Sequence, residues 1–408
     1  MKKHLNTILF FMIAALPGAI IRLAGIEFSP PVMSLISGLS ILSASFLLLW
    51  ACDAAQCDIS QALALAVVAL IAVLPEYAVD MYFTWQAGKY PEGNYAHYAI
   101  ANMTGANRLL IGVAWGLIAV IFLIRHRKAV QLDKDRRTEL LFLGMATAYA
   151  FIIPIKGSLA WYDGLVFLGL YVWYLKIAGG RPCEECVAEG PAELLIKLPK
   201  VKRRCATIAL FLFAALIILA NAEPFCENLV ATGKVLGINE FYLVQWLAPI
   251  ASEAPEFIVA LSFAWQGRGG LALGSLLSSK LNQWTLLVGM IPGVFALSSR
   301  QLAHPLPMGS FQMHEILLTA AQSLLGVVML ASLRLSWRGA ILLFVLFSGQ
   351  LVLPSVVAAF PSISLGLTAD KIHPLFSMLY LIAAVAIFLR QPRNILDLRK
   401  GLETSPLK

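Results

Sequence analysis

Apolar runs of 17 to 29 residues, separated by short polar breaks, fill the chain from end to end. A helix that crosses a bilayer needs about 20 apolar residues. The pattern therefore predicts twelve such helices, near 5–24, 33–51, 60–86, 96–124, 138–155, 161–178, 205–232, 239–265, 271–299, 312–333, 337–358 and 374–390. One stretch breaks the rhythm, the long polar loop 179–204 near the middle. It divides the chain into an extra helix (1–32), a five-helix unit (33–178), the loop as a hinge, a second five-helix unit (205–358), and a last helix with a basic tail (359–408). The expected fold class is all-α and integral to the membrane.

Composition supports this reading and adds an orientation. At 59% hydrophobic and 13% charged, with a mean hydropathy of +0.79, the chain lies far from soluble domains, which are about 25% charged. The net charge of +8 reads as topology and not as a nucleic-acid footprint, because basic residues collect in cytoplasmic loops. With Met1 inside, the inner loops and tails hold 23 of the 31 Lys and Arg residues, the outer loops hold six, and Arg108 and Lys280 lie within spans. Both termini are expected in the cytoplasm, in an inner or plasma membrane. A cleaved signal peptide is the alternative for the first segment, whose apolar run of about 20 residues exceeds a usual signal core. Cys183 and Cys186 fall in the hinge loop; with no second such pair or nearby His pair, a solvated loop is the better reading than a metal or redox site.

The third and eighth segments carry an internal repeat. PEYAVDMYFTWQ (75–86) and PEFIVALSFAWQ (255–266) agree at six of twelve positions. The following segments also correspond, since Gly116 stands nine residues after Asn107 and Gly289 nine after Lys280. By span parity the third segment crosses outward and the eighth inward, so the two units are inverted repeats. Secondary transporters are commonly built this way, with ion sites near the midplane at the repeat interface. Each Pro-Glu pair suits that place: proline frees a backbone carbonyl one turn earlier, and glutamate adds the hard anionic oxygen that a cation needs.

An ionisable side chain at mid-membrane costs about 2.5–3.5 kcal/mol on insertion scales, and its default reading is functional. Glu76 and Glu256 occur twice by symmetry and are the leading candidates. Glu253 shares a helical face with Glu256. Asp80, one turn after Glu76, has no acidic counterpart in the second repeat, where Ala260 stands.

These motifs resemble the calcium:cation antiporter superfamily, in particular the membrane region of sodium/calcium exchangers. Its two repeats each read roughly G-T-S-L-P-E followed by G-N-x-x-G-S-N-x-x-N or D. Here they stand as IAVLPE (71–76) with ANMTGANRLL (101–110), and as IASEAPE (250–256) with GSLLSSKLNQ (274–283). The step of 23 residues from Glu256 to Ser279 also fits. The resemblance implies cation antiport by alternating access, no cofactor, and calcium bound by Glu76 and Glu256. Glu253, Ser252, Ser279, Gln283 and Asn107 are further ion-binding candidates on this reading. It implies membrane lipid and inorganic cations as partners, and no nucleic acid. Departures from the pattern are Ala72, Val73, Ala106, Leu110, Glu253, Lys280 and Gln283, which remove several side-chain sodium ligands.

Lys280 is the most informative departure, an ammonium where a sodium ion would stand. If all ionise, Glu76, Glu253, Glu256 and Lys280 sum to −2, the charge of one divalent ion or two protons. Proton coupling is therefore an alternative to sodium coupling, with Lys280, Asp80 and Arg108 as coupling or counter-charge residues, a structural pair being the other reading of Arg108. Arg108, beside Asn107, is about 100° round the helix and points to a structural pair. Glu223 and Glu227 share a face near the outer end of the seventh segment, and Trp85, Tyr90, Tyr95, Tyr98 and Trp265 fit an interfacial belt. No HExxH, GxSxG or paired-aspartate motif supports an intramembrane enzyme. A divergent transporter of another cation and a non-transporting sensor are the competing readings.

Overall fold

The computed structural model describes residues 2–59, 71, 73–179, 190–301, 304–359 and 369–403. Among them are twelve long helices: α1 (Lys2–Ala24), α2 (Pro30–Gln56), α3 (Leu74–Lys89), α4 (Tyr95–His126), α5 (Lys134–Lys156) and α6 (Trp161–Ala178). The others are α7 (Lys200–Leu236), α8 (Glu240–Trp265), α9 (Gly269–Ser299), α10 (Ser310–Leu330), α11 (Trp337–Ala359) and α12 (Ala369–Arg390). Ten of them are long and apolar enough to cross a membrane. The remaining two are α3, whose described part has 16 residues, and α6, whose hydropathy is diluted by Asp163, Lys176 and its tyrosines. One non-helical pairing was not expected: β1 (Val130–Gln131) and β2 (Arg334–Leu335) form a two-stranded antiparallel ribbon with Val130 opposite Leu335. The Cys183–Cys186 segment lies outside the described residues.

The packing is graded from centre to edge. α10 has 83% of its apolar window buried and α1 only 17%, so α10 is a core helix while α1 exposes Phe10, Ile13 and Leu23. α1 packs on α2 and α12 on α10, whereas α3, α4, α8 and α9 contact one another in the middle. α2 and α7 form the longest seam, and small residues let them approach: Ser37, Gly38, Ser40 and Ala44 are buried there. Without a hydrophobic drive between helices in lipid, such close backbone contact supplies the association energy. At 37 residues and 1.5 Å rise, α7 is about 55 Å long, longer than a hydrocarbon core of about 30 Å. Gly237 stops it in a left-handed conformation at φ 65°, where a side chain would clash.

Prolines leave backbone oxygens free in the bundle, and named groups meet them. Pro224 has no N–H for the carbonyl of Ala220, which instead accepts from Arg22 Nη1 at 2.7 Å. Arg22 also ion-pairs with Glu223 and so ties α1 to α7. Pro249 likewise frees the carbonyl of Gln245, and α4 meets it at Gly105. A methyl group there would stand 1.8 Å from that oxygen, so only glycine fits.

Three helices contain a π-helical stretch: Leu110–Trp115 in α4, Leu243–Leu247 in α8 and Gln283–Leu287 in α9. The first and third begin 173 residues apart, the same offset that separates Asn107 from Lys280. Such widened turns occur frequently at functional sites.

Candidate ion-binding site

The loop-free centre of the bundle brings α3, α4, α8 and α9 to one cluster of polar side chains. Glu76 enters from the first turn of α3, where Pro75 is tolerated because the first helical N–H groups have no partner. It is buried, at 2% exposure. Glu253 and Glu256 enter from α8 beside Pro255; Glu253 is buried and Glu256 partly so. Gln283 opens the π stretch of α9 and its amide nitrogen donates to both Glu76 Oε2 (2.9 Å) and Glu253 Oε1 (2.8 Å). One amide thus holds two carboxylates from opposite halves of the chain. Four oxygens of the cluster are buried without a hydrogen-bond partner: Glu76 Oε1, Glu253 Oε2, Gln283 Oε1 and Ser279 Oγ. Unmet buried acceptors cost about 1–3 kcal/mol each, and hard oxygens are what alkaline-earth cations bind.

Lys280 lies beside this cluster, fully buried on α9. Its ammonium donates to Asn107 Oδ1 (2.7 Å) and to the Asn107 backbone carbonyl (3.3 Å), and sits 4.5 Å from the centre of the Trp284 ring. Glu253 and Glu76 are within its electrostatic reach. Asn107 is turned to this lysine, while its own amide donates to Met103 O at 2.8 Å. Ser252 donates back to its helix, to Pro249 O at 3.2 Å, and Ser279 stands opposite Glu256. Asp80 is fully buried and accepts from Asn102 Nδ2 at 2.7 Å, which links α3 to α4. Among the described residues, no three His, Cys, Asp or Glu side chains form a cage by themselves; amide and hydroxyl oxygens would complete a coordination shell.

Arg108 belongs to a second buried cluster. It ion-pairs with Glu315 of α10, both 1% exposed or less, and lies 5.1 Å from the Trp246 ring. Glu315 Oε2 also accepts from Gln245 (2.6 Å) and Thr104 (3.3 Å), and His373 Nδ1 of α12 is 3.1 Å from its Oε1. Sequence reasoning missed Glu315, although a carboxylate inside the tenth apolar segment carries the same signal as Glu76. It lacks the flanking proline and the repeated motif that drew attention to the others.

Near the α3–α4 turn, Glu227 accepts from Tyr82 (2.5 Å) and Tyr95 (2.9 Å), and Tyr98 donates to Glu240 at 3.2 Å. Tyr95 and Tyr98 therefore line the protein interior, while Trp85, Tyr90 and Trp265 are exposed.

Comparison with known proteins gives one consistent picture. The profile described as "Sodium/calcium exchanger protein" matches twice, over residues 29–179 and 206–356. The crystal structure of an H+/Ca2+ exchanger, CAX, is 41% identical and superimposes with a TM-score of 0.91, covering 98% of both chains. The sodium-calcium exchanger NCX_Mj shares the fold at 21% identity and a TM-score of 0.51, over 79% of this chain and 98% of that one. A protein of Alkalimonas amylolytica named as a candidate antiporter, CaxA, is 25% identical over 279 residues, 64% of this chain and 82% of its own length. With ten membrane-length helices, these likenesses make the chain a multi-pass membrane protein built like cation exchangers.

Proposed function

The chain belongs to the sodium/calcium exchanger protein family, and we propose that within it this protein is a secondary active antiporter exchanging calcium for protons. The supporting observation is the group of four unpartnered, buried oxygens on Glu76, Glu253, Gln283 and Ser279. They are contributed by both repeats, at the interface where transporters of this architecture hold their cargo. Calcium takes six to eight oxygen ligands, and Glu256 completes the carboxylate set.

Proton coupling is favoured over sodium coupling by Lys280. Its ammonium, held by Asn107 and Trp284, occupies the position where the family pattern has a neutral amide. With Glu76, Glu253 and Glu256 ionised, the site carries a formal charge of −2. One Ca2+ neutralises that charge, and so do two protons delivered to carboxylates. The two cargoes are then mutually exclusive at the same oxygens, as antiport requires. The likeness to a structure named an H+/Ca2+ exchanger supports the same reading.

The two five-helix repeats are taken as inverted, with both termini in the cytoplasm, on the strength of the basic-residue bias. Alternating access follows from rocking of one repeat against the other around Glu76 and Glu256. The test is calcium uptake into proteoliposomes driven in turn by a pH gradient and a sodium gradient. Flux is expected with the pH gradient alone, and none in Glu76→Gln or Glu256→Gln. Absence of calcium flux under either gradient, with correctly inserted protein, would overturn the proposal. Unchanged pH dependence in both Lys280→Asn and Lys280→Ala would remove Lys280 from the coupling.

A further inference from the structure

A cavity of about 1400 Å3 lies away from the ion site, where the ends of several long helices come together. It is bounded by the end of α4, the start of α9, the β1–β2 ribbon, the start of α11 and the end of α12. Five cationic side chains line it: Arg127, Lys128, Arg334, Arg338 and Arg390; no carboxylate does so among the described residues. None of the five has an ion pair among the described residues, in contrast to Arg22, Arg108, Arg136 and Arg203, which each have one.

The basic-residue bias alone would scatter these charges over separate loops. Here the ribbon gathers them. Arg127 and Lys128 stand just before β1, separated from it by Ala129, and pairing with β2 brings Arg334 alongside. Arg338, over the Trp337 ring at 5.5 Å, follows one turn later. Apolar side chains line it as well, among them Phe122, Met329, Leu342 and Ile387. An anionic head and a hydrocarbon tail would each find a matching surface. Basic pockets between spanning helices on the cytoplasmic side are suited to phosphate headgroups.

We propose that this cavity binds the headgroup of an anionic phospholipid from the leaflet on the basic side, with one acyl chain against the apolar side chains. Its lining comes from both repeats and from α12, so the lipid bridges elements that the ion site alone does not join.

The test uses purified full-length protein. Native mass spectrometry reads retained phosphatidylglycerol, and thermal unfolding is compared in phosphatidylcholine vesicles with and without phosphatidylglycerol. Wild type is expected to retain the anionic lipid and to unfold at a higher temperature when it is present. Arg334→Gln/Arg338→Gln should weaken retention roughly tenfold or more, since each basic residue near an anionic surface contributes appreciably. Lys200→Gln/Lys202→Gln, two basic positions in the first turn of α7 and outside the cavity, should retain it like wild type. Arg390→Gln, at an exposed helix end, gives a second cavity variant should the double one fail to fold, with a smaller loss of retention expected. Equal loss in the Lys200/Lys202 variant would overturn the proposal in favour of diffuse surface charge. No preference for phosphatidylglycerol in wild type would overturn it too, as would an equal gain in stability from inorganic phosphate alone.

Discussion

Removing the guanidinium of Arg108 should unfold the bundle earlier than any change at the ion site. In Arg108→Met the Glu315 carboxylate stays buried at 0% exposure and loses, among the described residues, its only ion-pair partner with a permanent charge. Breaking one side of a buried pair costs about 3–5 kcal/mol, because the survivor is left uncompensated. An unfolding entropy of about 2.1 cal/mol/K per residue over 408 residues converts each kcal/mol to about 1.2 °C, so the midpoint should fall by about 4–6 °C. Adding Glu315→Leu removes the stranded charge. The double variant then keeps the smaller losses at Gln245, Thr104 and His373, each about 1 kcal/mol, and is expected to be more stable than Arg108→Met. The assay is thermal unfolding of the purified protein in detergent, followed by intrinsic fluorescence, for both single variants and the double. A double variant less stable than either single one would refute the argument, as would an Arg108→Met protein that melts like wild type.

Three other outcomes are expected. Gln283→Leu removes the donor shared by Glu76 and Glu253; with hydrogen bonds to charged groups at about 1.5–3 kcal/mol, calcium flux in proteoliposomes should fall at least tenfold while the chromatographic profile stays that of folded protein. Gly105→Ala drives a methyl group into Gln245 O and should abolish folded expression, whereas Gly169→Ala, which meets no atom within 4 Å, should leave it unchanged. Asp58, past the end of α2, accepts from Arg203 through both carboxylate oxygens at 2.7 Å, and that bidentate bond holds its carboxyl below the ordinary value of 3.8. Because the folded value is the lower one, the stabilisation is fully present above about pH 4 and is lost as pH falls through the depressed value. Asp58→Asn should therefore lower the unfolding temperature at pH 7, with the gap to wild type closing below pH 3.8; a gap that persists unchanged in acid would contradict this.

Most of the architecture could be read from hydropathy because lipid imposes a length on every crossing element. What could not be read was set by contacts between distant segments. Arg108 could be separated from the site by its angle around the helix, but its partner could not be named, since Glu315 lies 207 residues away. Asn107 looked like an ion ligand by motif; that it faces Lys280 depends on how α4 and α9 lean together. The β1–β2 ribbon pairs two-residue strands 204 positions apart, too short for any periodic signal. Glu76 and Glu256 stood out as candidates for the opposite reason: proline punctuation and an internal repeat mark them within their own segments.

Lys280 and Asn107 hold equivalent positions in the two repeats, and they touch. Were the two repeats related by a two-fold axis, as proposed above, equivalent residues could meet only on that axis, as matching residues do in a symmetric dimer. Two asparagines could face each other there and hydrogen-bond; two lysines would press ammonium against ammonium. The pairing seen here is open only to a protein whose halves have ceased to be copies. At this spot the two repeats differ by a basic side chain, as they differ at Glu253 against Val73 and Gln283 against Leu110.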